Sequence, residues 1–328
     1  MSDVAVAVLG LYLAISAWAK WGGSHIPYER WAQYPFLITN GVRAAAYILW
    51  PHSPYQHEDL RRLRQDAGQL GLGFEVLLLR LGWERGTPLP EPAEFLAIFR
   101  AKLLYAKRLG YTRLLVLIAN EPNLELADLM TPAQFGPWYK ALVELWRKDP
   151  DLKEIPLVSP TCAGYAANSW AWWDGALREC CALSDYAGLA IYPTSEAEMG
   201  LHKKPTDPDV PAWSLPWWLG QIGEKQAVIV EMGCRTGTAA AVRSALLPKL
   251  YAQVKASAGV AYAFAFAQWT DGEEHAEHWL SPLHLRALVD ANLGVAPVAP
   301  PSVPTQPPPL PGGPWPEGVY EVTVRRVR

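Results

Sequence analysis

Leu114 to Ala119 is an uninterrupted run of six apolar residues that stops at Asn120-Glu121-Pro122. A strand apolar on both faces must be covered on both faces, as in a parallel sheet flanked by helices or closed into a barrel. Glu121 then stands at the strand's carboxyl end, where α/β folds gather ligands and eight-stranded barrels gather catalytic groups. It is either the first polar residue after a strand, with Pro122 stopping the ladder, or a functional carboxylate.

Gln226 to Gly233, Q-A-V-I-V-E-M-G, repeats the pattern and ends in Glu231. The two glutamates are 110 positions apart. At roughly 30 to 40 residues per βα unit of a barrel, they fall on strands about three units apart and nearly face each other across its mouth. Two carboxylates facing across a pocket are the equipment for splitting a glycosidic bond.

The rest of the chain supplies the remaining units. Leu9–Ile15, Val42–Trp50, Phe74–Arg80, Pro156–Ser159, Tyr186–Tyr192 and Val260–Gln268 read as strands. Helical spacing or capping marks Glu58–Leu70, Pro92–Leu109, Pro132–Lys148 behind the N-cap Thr131, Ser169–Leu183, Ala239–Ala258 and Pro282–Leu293. The expected fold is α/β, one (β/α)8 (TIM) barrel over residues 1–296. A Pro-rich spacer follows at 297–317, with ten of the chain's 30 prolines between Pro297 and Pro316. Residues 318–328 read as a short terminal strand. A lone strand is not stable, so this one is expected to lie back on the barrel, join a protein partner's sheet edge, or be the stub of a longer chain.

Half of the 328 residues are hydrophobic, so a large core is expected. A net charge of −3 without a basic run argues against nucleic acid as a partner. Four scattered cysteines make neither a disulfide framework nor a zinc site, and adjacent Cys180 and Cys181 read as small buried hydrophobes. His275 and His278 are spaced wrongly for a metal pair on one helix face, so neither metal nor cofactor is expected. Val4–Trp18 is too short to span a bilayer, and Asp3 stands where a signal peptide carries positive charge. The expectation is no membrane span, and a cytoplasmic protein or one released without a standard signal.

Asn-Glu-Pro after the fourth strand, Glu-Met-Gly after the seventh and Trp269 after the eighth resemble the retaining glycoside hydrolases of the cellulase-like (β/α)8 clan, clan A. The resemblance runs from Leu9 to about Leu293. It implies Glu121 as general acid/base, Asn120 as the contact to the sugar 2-hydroxyl and Glu231 as nucleophile. It also implies Tyr192 as the hydrogen-bond donor to that nucleophile, Arg43 as the cation that keeps it charged, and Trp269 as the floor beneath the sugar. The best-known cellulase family has a histidine at the end of the third strand, where this chain has Arg80-Leu81-Gly82, and another two residues before the tyrosine, at Ala190. Assignment to that family therefore does not follow.

Trp50, Trp83, Trp173 and Trp279 follow strands or lie in upper loops and read as sugar platforms, whereas Trp138 and Trp146, inside a helix, read as packing. The expected function is retaining hydrolysis of a polysaccharide or oligosaccharide, with carboxyls about 5 to 5.5 Å apart. The alternative is a glycan-binding barrel without catalysis, attached to a larger assembly through its Pro-rich tail. A lyase or aldolase is disfavoured because no strand ends in a lysine placed for a Schiff base.

Overall fold

A computed structural model of the chain describes residues 12–17, 44–52, 56–66, 74–84, 86–164, 166–199, 214–234, 238–269, 287 and 290. Eight parallel strands form one sheet: β1 (Tyr12–Ala17), β2 (Ala44–Leu49), β3 (Val76–Leu81), β4 (Arg113–Ile118), β5 (Leu157–Val158), β6 (Ala187–Ile191), β7 (Ala227–Met232) and β8 (Val260–Trp269). Their order is β5-β4-β3-β2-β1-β8-β7-β6. The ends of this order meet in a short seam. Val158 bridges Tyr186, the Ser159 N–H donates to the Tyr186 carbonyl at 2.9 Å, and the Tyr186 N–H donates to that of Leu157 at 3.0 Å.

Gly188 makes the seam possible. A Cβ there would lie 2.0 Å from the Ser159 carbonyl oxygen, and its N–H donates to Ser159 Oγ at 2.9 Å. Only glycine lets two backbones approach this closely.

Alternation along the strands separates two cores. Ala44, Ala46, Val76, Leu78, Leu115, Leu117, Val158, Val228, Val230, Tyr262 and Phe264 fill the inside of the ring. Their neighbours Ala45, Tyr47, Leu77, Leu79, Leu114, Val116, Leu189 and Ile229 face outward, into a larger core shared with the helices. Strands buried on both sides therefore read as unbroken apolar runs.

Helices Gln56–Arg61, Pro92–Arg108, Pro132–Lys148, Leu215–Ile222 and Ala240–Ala256 connect successive strands. The helix expected over 169–183 is present, with a π-helical stretch at Trp173–Leu177 between Ser169–Trp172 and Arg178–Leu183. A capping box starts Pro132–Lys148, where Gln134 Oε1 accepts the Thr131 N–H at 2.9 Å. No helix among the described residues is long and apolar enough to cross a membrane.

The expected (β/α)8 architecture is borne out, with shifted boundaries: β1 lies three residues later than Leu9 at its start and β5 is only two residues long. Of the expected last helix only residues 287 and 290 are described, both helical, and the Pro-rich tail and terminal strand lie outside the described residues. Cys180 and Cys181 are buried, as are Trp138 and Trp146.

Candidate active site

The site grows from the carboxyl ends of β3, β4, β6 and β7. On β7, simple alternation would point Glu231 outward with Ala227 and Ile229. The strand instead carries one extra residue: Leu189 of β6 pairs with Ile229 but Ala190 pairs with Glu231, and on the other side Ala263 and Ala265 pair with Ile229 and Met232. This bulge sends Met232 to the outer core and leaves Glu231 to meet groups at the mouth of the ring.

Two donors converge on Glu231. The Tyr192 hydroxyl, one residue past β6, donates to Oε2, and Arg80 of β3 pairs with Oε1. Arg80 shares its face with Val76 and Leu78, both of the inner core, so its guanidinium caps that core. Both partners of the ion pair are more than nine-tenths buried. The resemblance had implied Arg43 for this role. Arg43 lies outside the described residues.

Glu121 follows β4 on strained backbone. Ala119 (φ 60°) and Glu121 (φ 40°) are the non-glycine positive-φ positions among the described residues, and such strain gathers where function demands it. Pro122 starts a short helix, Pro122–Glu125, whose first turn bonds back to the Glu121 carbonyl. The Glu121 side chain is buried, and Oε1 has no hydrogen-bond partner among the described residues. Burial first, then the charges of Glu231 and Glu125, hold its carboxyl well above the ordinary carboxylate range, with Arg80 opposing. Burial, then the charges of Glu231 and Glu121, push the Tyr192 phenol well above its usual value, so it remains a donor.

Asn120 is half-buried. Its Oδ1 accepts from Thr161 Oγ1 at 3.1 Å and its Nδ2 donates to Glu125 Oε1 at 3.3 Å. Thr161, fully buried in the loop after β5, also accepts the Glu121 N–H at 3.1 Å. Sequence reasoning missed Thr161 and passed over Arg80. A charge at an inward position of V-L-L-L-R-L was the available signal for Arg80; nothing in the sequence marked Thr161.

No family model matches the sequence, and no curated protein does. Solved structures do match. An endo-β-1,3-glucanase of glycoside hydrolase family 128, subgroup II, from Pseudomonas viridiflava aligns with TM-score 0.50 and 15% identity over 85% of this chain and 97% of its own. A family 30 endoxylanase from Clostridium papyrosolvens C71 gives 0.53 and 12% over 86% and 71%. A family 5 enzyme from Prevotella bryantii B14 gives 0.50 and 10% over 87% and 96%. The fold is that of the clan A glycoside hydrolases.

Within this barrel the tryptophans divide. Trp50 follows β2, half-buried, with its ring against Gly82, where a Cβ would lie 2.9 Å from Trp50 Cε3. Its carbonyl and that of Pro51 accept from Lys102 Nζ. Trp83 donates to the Pro88 carbonyl at 3.2 Å, packs on Phe95, and lines a small pocket with Leu81, Glu84, Ala119 and Glu125. Trp173 is not a platform: it is 3% exposed, held edge-on against Trp218 with centroids 5.0 Å apart. It is the fifth residue of the helical run that begins at Ser169, and its ring packs against the helix Leu215–Ile222. Trp269 ends β8, where its backbone pairs with Ala17, but its side chain lies outside the described residues, as does Trp279. No cluster of potential metal ligands is present among the described residues.

Proposed function

We propose that this chain is a retaining β-glycoside hydrolase acting on a polysaccharide or oligosaccharide, with Glu121 as acid/base and Glu231 as nucleophile. The observation that carries this is the asymmetry of the two carboxyls: a guanidinium and a phenol hold Glu231, while burial and neighbouring negative charge favour the protonated form of Glu121. A glycosidic oxygen is a poor leaving group and the transition state resembles an oxocarbenium ion. One group must therefore deliver a proton as the other supplies negative charge.

In the first step Glu231 attacks the anomeric carbon, the C–O bond to the leaving sugar breaks, and the Glu121 proton goes to the departing oxygen. Forming the ester removes the charge on Glu231 that helped keep Glu121 protonated. Glu121, now a carboxylate, takes a proton from water, which attacks the anomeric carbon and releases Glu231. Asn120 Nδ2 is the donor for the sugar 2-hydroxyl, and Trp269, with Trp50 and Trp83, supplies apolar faces for sugar rings.

The similar solved structures include an endo-β-1,3-glucanase and an endoxylanase, which makes β-1,3-glucan and xylan the first substrates to assay. On the polymer that wild type cleaves, Glu121→Gln and Glu231→Gln are each expected to lower kcat by about 10²–10⁴-fold, and proton NMR is expected to show the β-anomer forming first. Near-wild-type turnover in either variant, or initial α-anomer, would overturn the assignment. Binding across a panel of β-glucans, xylan and mannan without release of reducing sugar would favour a glycan-binding barrel instead.

A further inference from the structure

We propose that Thr161 is a positioning residue that sets, through one hydroxyl, both the backbone carrying Glu121 and the direction in which the Asn120 amide faces. The catalytic half of this inference rests on the glycosidase reading above; the structural half does not. Thr161 lies three residues past β5 and has no exposed surface. Its hydroxyl makes two contacts of opposite sense, accepting the Glu121 N–H at 3.1 Å and meeting Asn120 Oδ1 at 3.1 Å.

Proton bookkeeping fixes the polarity. A backbone N–H can only donate, so the Thr161 oxygen is the acceptor there and its own hydrogen points at Asn120. The amide atom receiving that hydrogen must be the oxygen. Asn120 Nδ2 is thereby turned the other way, where one of its hydrogens reaches Glu125 Oε1 at 3.3 Å and the second is left for a substrate hydroxyl. A hydroxyl that can both accept and donate is required; neither a methyl nor a carboxylate would serve.

The backbone explains why an anchor is needed. Ala119 and Glu121 both sit at positive φ, a conformation that L residues leave unless surrounding contacts impose it. The Glu121 carbonyl is taken by the turn that follows, from the N–H groups of Leu124 and Glu125, so Thr161 holds the opposite side of the same residue. The loop bearing Thr161 is itself braced against the loop bearing Glu121. Asn123 accepts the Ala163 N–H at 2.8 Å and donates to the Ala163 carbonyl at 3.1 Å, and Asn168 donates to the Asn123 carbonyl at 2.8 Å. The loop after β5 thus acts as a jig for the end of β4, placing proton donor and sugar contact together.

The test compares Thr161→Val, which keeps the shape and removes the hydroxyl, with Thr161→Ser, which keeps the hydroxyl. Two readouts are taken on each: kcat with KM on the polymer wild type cleaves, and the titration of the Glu121 carboxyl by carbon-13 NMR of labelled glutamate. In Thr161→Val, kcat is expected to fall about 10- to 100-fold, the usual cost of a small misplacement of a reacting group, and the Glu121 titration to move down toward that of an ordinary carboxylate. Thr161→Ser is expected to restore both. Thr161→Ala carries the same expectation should the valine variant fail to fold. A folded Val or Ala variant with an unmoved Glu121 titration and kcat within about twofold of wild type would overturn the proposal. If wild type cleaves no glycan but the Glu121 titration still moves in Thr161→Val and returns in Thr161→Ser, the positioning role stands and the glycosidase reading falls.

Discussion

Arg80 of β3 and Glu231 of β7 form an ion pair from strands four apart in either direction around the ring, so the contact spans the mouth of the barrel. Each side chain gets there differently. Arg80 follows the inward alternation of its strand, whereas Glu231 is brought in by a bulge. Charges this deep are costly to leave alone, and removing one partner is far worse than removing both.

Arg80→Leu is therefore expected to destabilise the fold by about 3–5 kcal/mol, read as a shift in urea unfolding, and to abolish hydrolysis. Combining it with Glu231→Leu should recover much of that stability but none of the activity. A loss below about 1 kcal/mol for Arg80→Leu, the range of an exposed pair, would mean that water screens the contact.

The raised pKa of Glu121 links stability to pH. The folded state holds its proton above the ordinary value of 4.5, so it binds more protons than the unfolded chain. This contribution is fully present below the unfolded pKa and is lost as pH rises through the folded one. Glu121→Gln, which has no proton to lose, is expected to unfold with a flatter dependence on pH, and its stability relative to wild type should grow as pH rises. Activity should decline on the alkaline side along the same titration. Parallel stability curves for the two proteins from pH 4 upward would contradict this.

Gly188→Ala tests the seam. The added methyl would collide with the Ser159 backbone, which cannot rotate away as a side chain can. The expected outcome is a loss beyond the 1–3 kcal/mol typical of overpacking, with β5 and β6 exchanging their amide hydrogens faster than β3 and β4. Native-like melting of the alanine variant would show that β5 and β6 do not close the ring through this contact.

Much of this molecule was legible because strands covered on both faces leave unbroken apolar runs, and both glutamates stand where those runs stop. The bulge was not legible: in A-V-I-V-E-M every residue through Val230 is apolar, so the sequence gives no sign of where the alternation slips. Arg80 was visible as a lone charge inside an apolar strand but was passed over as a departure from a familiar pattern. Thr161 was invisible, since its role depends on β5 bringing a loop 40 residues away against Glu121. Trp173 misled because a tryptophan in the second turn of a helix looks the same in sequence whether it faces the mouth or the gap between helices.

The most direct measurement is to trap the covalent intermediate. Wild type would be incubated with an activated 2-deoxy-2-fluoro glycoside of the sugar it hydrolyses fastest, then digested and mapped by mass spectrometry. The expected result is one sugar per chain, esterified to Glu231, with turnover lost in step with labelling. A label on any other residue, or active enzyme that releases inverted product and never accumulates a label, would contradict the assignment of Glu231 as nucleophile.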